Sequence, residues 1–551
     1  MLRQKVKTLE AMISSAPKSS SPPLSTSVPA KRRSPSDDIP PRPHPPPPPR
    51  TQKRSISLSS EDQIKLLNQF SQVQHVAYEY TNVPPNPHPA GEPYAAKTSA
   101  FLLASHFSPN PALRSLSTDL LECTRDCIDE AIRTADFSPR SLTLARPMPS
   151  AALVLDAIHA STLLASWLLV QGRCVECQQT LFSAAKLDGR LSPSHLQPLG
   201  SSTQRSVTPA TQNFEASAEG PIKTMIPRPV GIADTKNRVG ILWQLLCLDY
   251  TAAILMGSSV NVSLPWEDCP SEVRVETIWP DFDSNETTCT SIASLFHASR
   301  KASPSPSLAP TGSTRAGSPP SSVDPYALRA KSVVLLERAV RLSAQSERGS
   351  RPSSPRSPNQ ASSGHPVVGD ATRAAIKETD TAISNVLEQL PTERSIALHP
   401  HTLLLCARVR LHETLMSQEH VSQVVWVQSA VAIVRLLDGM RMDDVVRGAD
   451  LLLAYAWMAS YMVLLHERYY VPYHPESEHV ARIKSDLDKL KALLDTVGVR
   501  MPVIATLFKT SVDQFNALRD RKSASPFATP PPSDNGEVKT EDEHDELVDD
   551  D

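Results

Sequence analysis

The chain has 551 residues with 51 prolines, 17 glycines and 5% aromatics, a composition that no single uniform domain carries. With 56 basic and 59 acidic side chains and a formal charge of −3, it is not a polycation built to coat nucleic acid, so any DNA contact is local. Length alone would suggest about three or four domains, but the Pro- and Ser-rich stretches at 14–58, 191–222, 298–325, 343–370 and 523–534 are too poor in apolar residues to fold, which leaves about 360 residues of foldable chain.

Residues 1–13 place Leu2, Val6, Leu9 and Ile13 at steps of four, three and four, with Arg3, Lys5, Lys7 and Glu10 between them. Leucine at d and a branched residue at a is the seam of a parallel two-stranded coiled coil; a surface helix is the plainer alternative for so short a segment. The linker at 14–58 carries Lys31, Arg32 and Arg33, then Arg50 and Lys53-Arg54, basic clusters of the kind that serve as nuclear import signals or simply solvate a linker.

From about 59 onward the 3.6-residue period dominates. Ile64, Leu66, Leu67 and Phe70 form one amphipathic stretch, and 100–107, 116–132, 153–170 and 177–187 form four more. A helix over 239–256 ends near Gly257, followed by an extended segment containing Trp266 and Trp279-Pro280. Further helices are predicted near 326–345, 371–390, 401–417, 420–438, 444–469, 476–497 and 502–519. No period of 33–47 residues repeats. The predicted fold is all-α: one irregular multi-helix domain over 59–520 with long disordered insertions and disordered termini. The longest apolar run, 451–465, falls short of the ~18–20 residues that span a bilayer, so no membrane partner is expected.

Chemistry-bearing motifs are sparse. There is no phosphate-cradling Gly-rich loop, no G-x-S-x-G elbow and no H-E-x-x-H, so no catalytic residue or cofactor is assigned. Asp443-Asp444 has Arg447 where a third carboxylate would stand, and reads as acid at a helix start. Eight cysteines at irregular spacing read as reduced thiols of a nuclear or cytosolic protein. Cys123/Cys127 and Cys174/Cys177 would need to converge to hold tetrahedral zinc; as small buried hydrophobes they need not. In the 239–256 helix, Trp243, Leu246 and Tyr250 share a face, while Asp249 is an acid in an apolar run that calls for a buried salt-bridge partner.

These residues carry a resemblance. Lys236-Asn-Arg238, Trp243, Leu248-Asp249, Gly257-Ser258, Trp266-Glu-Asp268 and Val275-Glu-Thr-Ile-Trp279-Pro280 resemble, in order, the middle regulatory domain of fungal binuclear zinc-cluster transcription factors, its basidiomycete branch in particular. The blocks from Pro87-His-Pro89 through Phe101 to Phe107, and from Leu163 to Arg173 with Ala184-Ala-Lys-Leu187 after them, are similar to that family too. Tyr250 stands where the family has Arg, and Ser259 where it has Pro. The resemblance implies a nuclear transcription regulator, not an enzyme, whose helical domain passes an effector or partner signal to a dimeric DNA-binding module and on to the transcription machinery. The family's six-cysteine zinc cluster has no counterpart in this chain. The expectation is therefore a chain starting just past that module, homo- or heterodimeric through Leu2, Val6, Leu9 and Ile13, with zinc and DNA bound only by a longer form. The other readings are a helical partner protein acting by heterodimerisation without DNA and a cytosolic all-α enzyme. In the tail, nine acids surround Lys539 in Val-Lys-Thr-Glu541, a pattern that suits attachment of a small ubiquitin-like modifier or merely solvates the terminus.

Overall fold

The computed structural model describes residues 58–78, 95–134, 151–188, 231–263, 273–274, 295–296, 324–349, 369–391, 393–416, 418–470 and 477–523. Among them the fold is all-α. The N-terminal half comprises α1 (Ser60–Val73) with a 3-10 turn (Gln74–Ala77), α2 (Ala95–Phe107), α3 (Pro111–Ser115), α4 (Ser117–Thr134), α5 (Ala151–Val170), α6 (Cys174–Asp188) and α7 (Gly231–Met256). The C-terminal half comprises α8 (Pro325–Gly349), α9 (Asp370–Leu387), α10 (Arg394–Glu413), α11 (His420–Leu436), α12 (Met442–Gly448), α13 (Leu451–Tyr470), α14 (Glu478–Arg500) and α15 (Pro502–Ser523). A two-residue parallel pairing, β1 (Val262–Ser263) with β2 (Val273–Arg274), follows α7.

Caps explain the helix boundaries. Ser59, Asn110 and Ser477 accept from the backbone of Asp62, Ala112 and Val480, meeting N–H groups that a helix start leaves open. Asp324 accepts from Tyr326 N at 2.7 Å, with Pro325 opening α8. Asp156 of α5 caps α2 from outside, accepting from Ala95 and Ala96 N at 2.8 and 3.3 Å. At the end of α5, Gly172 adopts φ +75 while Gly172 N donates to Leu169 O (3.0 Å) and Arg173 N to Leu168 O (2.9 Å), a Schellman stop that gives the Gly-Arg dipeptide its structural meaning.

One hydrophobic cluster runs from Leu66 to Phe515. In it α2 packs on α1, α4 and α5; α5 and α6 pack on α7; α7 hands over to α8; α8 lies against α9 and α10; and α13 is wrapped by α10, α11, α14 and α15. The chain closes on itself where α15 returns to α5, with Val503 3.9 Å from the place a Gly172 Cβ would take. Two helices, Ala152–Val170 and Asp234–Met256, are long and apolar enough to cross a membrane, but 89% and 94% of those windows are buried inside this fold.

Several sequence expectations are corrected. Ile64 is 59% exposed, because the inward face of α1 is Leu66, Phe70 and Val73. The helix expected over 444–469 is two helices, broken at Ala449 in extended conformation so that Asp450 can cap α13. Pro400, just outside the helix expected near 401–417, lies inside α10. Residues 343–349, expected in an insertion, continue α8. The stretches at 191–222, 350–368 and 524–551, and most of 298–325, lie outside the described residues.

The α14–α15 hairpin depends on Gly498, where a Cβ would sit 3.0 Å from Ala505 Cβ and 3.3 Å from its Cα. Gly498→Ala is expected to cost about 1–3 kcal/mol, because the two helix backbones must separate. An unchanged urea midpoint for this variant would show that the hairpin has room to give.

Candidate functional site

The residues that carry the family resemblance centre on α7. Arg238 is buried and forms a two-pronged ion pair with Asp234 one turn earlier, Nε to Oδ1 at 3.1 Å and Nη2 to Oδ2 at 2.9 Å. Trp243 has no exposed surface, and Leu246 and Tyr250 on the same face are equally enclosed. Gly257 ends the helix at φ +62, a left-handed conformation that glycine adopts without strain.

Asp249 departs from expectation. Its partners are loop amides rather than a cation: it accepts from Asn261 N (2.6 Å), Asn261 Nδ2 (2.7 Å) and Val262 N (2.9 Å). The carboxylate thus pins the chain just after the Gly257 turn back onto α7 and positions β1. Burial raises its pKa to about 6 against the pull of these hydrogen bonds. Trp279 and Pro280, the seam residues Leu2, Val6, Leu9 and Ile13, the basic cluster Lys31, Arg32 and Arg33, and Lys539 lie outside the described residues.

A second group, unforeseen from the sequence, adjoins α7. Gln244 Nε2 donates to Ala77 O (3.1 Å), and the Thr251 hydroxyl donates to Cys247 O (2.7 Å) while lying 2.8 Å from the Tyr78 hydroxyl. Tyr78, held at φ 54, places its ring 4.6 Å from the Arg329 guanidinium. Arg329 Nη2 reaches His75 O at 2.6 Å and Asp450 Oδ2 at 2.8 Å; His399 Nε2 donates to the same Oδ2, and Asp450 Oδ1 accepts from Leu453 N at 2.8 Å. His75 Nε2 in turn donates to Ala449 O at 3.2 Å. One fully buried carboxylate therefore ties together the turn after α1, α8, α10 and the start of α13. Tyr78 and Thr251 join that junction to α7.

The electrostatics are consistent with this geometry. Burial works against the Asp450 carboxylate, but His399, Arg329 and the Leu453 N–H together hold its pKa well below the ordinary range. Burial lowers the pKa of His399 against the pull of Asp450, and burial followed by the Arg329 charge pushes His75 down to about 4. Because His75 binds a proton more readily unfolded than folded, its contribution to stability is complete above about pH 6.5 and is lost as pH falls toward 4, about 3 kcal/mol in all. Asp249, raised instead of lowered, has the opposite sign between about pH 4 and 6. The expected result is that His75→Gln flattens the acid limb of stability against pH and Asp249→Asn steepens it. Urea titrations between pH 4.5 and 7.5 check both.

Other clusters bear on catalysis. Ser422, His412 and Asp380 line up with His412 Nδ1 3.1 Å from Ser422 Oγ and Nε2 3.8 Å from Asp380 Oδ1. Ser422, however, is buried and donates its proton to Glu419 Oε2 at 3.1 Å, so His412 Nδ1–H donates to it and does not activate it. Asp443 and Asp444 lie in the first turn of α12, with Asp444 3.4 Å from Arg447. Among the described residues no group of three or more His, Cys, Asp or Glu side chains is placed to hold a metal. Among the described residues, one cleft of about 180 Å³ opens between the Gly257 turn and α8, and another of about 410 Å³ opens among α13, α14 and α15.

Compared with known proteins, the chain matches no family model, no curated protein and no solved structure.

Proposed function

We propose that this chain is the helical regulatory part of a transcription regulator of the fungal zinc-cluster class, acting in the nucleus as a homo- or heterodimer and changing the output of a DNA-bound complex. The supporting observation is spatial. The blocks that carry the resemblance, from Phe101 to Phe107 in α2, Leu163 to Arg173 at the end of α5, Ala184 to Leu187 in α6 and Arg238 to Asp249 in α7, are separate in sequence yet pack against one another in one core. A set of blocks that must pack together has a physical reason to occur together. The cleft beside Gly257 borders this layer, which places an accessible surface next to the segment that Asp249 pins. DNA specificity on this reading comes from a zinc-cluster module that the described helices do not supply.

The test is to tether the full chain to an unrelated sequence-specific DNA-binding module and read a reporter. Expression should change relative to the module alone. No change, together with exclusion of the untethered chain from the nucleus, would remove the reading. In gel shifts the chain as given should bind duplex DNA weakly and without sequence preference, through the clusters at Lys31–Arg33 and Arg50–Arg54, and lose that binding by ~200 mM salt.

A further inference from the structure

We propose that Cys123 and Cys127 form a dithiol site for trivalent arsenicals, the neutral hydroxylated acids of As(III) and their organic derivatives. The two residues are one turn apart on α4, on the same face of the helix, and both are half-buried and reduced. The Cys127 thiol interacts with that of Cys123 and with the Thr98 hydroxyl of α2. Among the described cysteines, Cys177, Cys247 and Cys406 are buried and Cys174 is partly exposed beside buried Cys177, whereas Cys123 and Cys127 are both partly exposed.

The surroundings select the ligand class. Structural zinc takes four ligands, and no third His, Cys, Asp or Glu among the described residues joins the pair. Thiolate complexes of metal cations also require both protons to leave. The hydrogen bond to Cys123 and then burial keep Cys127 protonated well above the ordinary thiol range, with Asp126 adding to the effect. Disulfide formation is opposed by geometry, since helical neighbours at i and i+4 hold their Cβ atoms ~5–6 Å apart against the ~3.5–4.5 Å a disulfide needs. An arsenic atom inserted between the sulfurs bridges that wider gap.

Condensation with an arsonous acid consumes thiols in their protonated form. Two As–O bonds break and two As–S bonds form, the thiol protons leave with the two hydroxyls as two waters, and arsenic stays trivalent with no electron transferred. The product carries no charge, so a half-buried setting does not penalise it as it would a bound ion.

The experiment treats the full, reduced chain with one equivalent of phenylarsine oxide, which hydrates to the diol, and reads the adduct by native mass spectrometry. Peptide mapping after maleimide alkylation then locates the protected thiols. The expected result is one phenylarsenic per chain, protection of Cys123 and Cys127 together, and release by 2,3-dimercaptopropanol. Cys123→Ser and Cys127→Ser should each weaken binding at least tenfold, while Cys174→Ser leaves it unchanged. Protection that maps to Cys174 and Cys177 or elsewhere, or Cys123→Ser binding as tightly as the parent chain, would overturn the assignment. Should Cys127→Ser fail to fold, the protection map of the unsubstituted chain decides the question. The outcome does not depend on whether the chain regulates transcription.

Discussion

Asp450→Ala is expected to cost about 3–5 kcal/mol of folding stability, a large share of the roughly 5–15 kcal/mol available to a folded domain. The carboxylate is fully buried and serves three donors: Arg329, His399 and the Leu453 N–H. Truncation takes the Asp450 charge away from the Arg329 guanidinium, which lies against Tyr78 and the His75 carbonyl, and it uncaps α13. Much of the penalty comes from removing only one side of the pair, because a buried pair is worth little against an apolar replacement but much against a half-removed one. Two companion variants separate the effects. Asp450→Asn keeps an acceptor for the cap and loses the charge, so its loss should be smaller. Asp450→Ala combined with Arg329→Leu should recover part of the single-variant loss. Urea unfolding gives all three numbers, and an Asp450→Ala midpoint within about 0.5 kcal/mol of the parent would mean that water or another group takes over the role of the carboxylate.

How much of this was legible in sequence depends on the range of the interaction. Helices follow from local periodicity, so α5, α7 and α14 are readable from their own residues. Asp249 is conspicuous in the sequence as an acid in an apolar run, but its partners are not, because Asn261 reaches it only after the chain turns at Gly257. The general rule that a buried acid finds a cation fails here because backbone N–H groups do the same work. The Asp450 junction was invisible for a different reason. His399 and Asp450 are 51 positions apart, and no spacing rule links an interior histidine of α10, the turn after α1 and the start of α13. One signal was present: Ala449-Asp450 immediately before a long apolar run is a helix start. Reading 444–469 as one helix hid it.

The resemblance and the packing bear on each other through Trp243. Trp243→Ala is expected to destabilise the fold by about 3–5 kcal/mol. The ring has no exposed surface and sits midway along α7, the helix that contacts α5 and α6 on one side of the fold and α8 and α13 on the other. The cost of a cavity depends on how far its walls can collapse, and these walls are held. Gln244 is bonded to the Ala77 carbonyl, Thr251 to Tyr78, and Asp249 to the loop beyond Gly257, so α7 is fixed both beside the vacated space and a turn or more further on. The loss should therefore fall toward the upper end of the range, and Trp243→Phe, which leaves a smaller void, should lose less. Because α7 bridges the two halves, unfolding should remain a single transition with an unchanged m-value, shifted to lower urea. A melting temperature that does not move in Trp243→Ala would show that the ring is not part of the core, and the packing argument that supports the regulatory reading would lose its central residue.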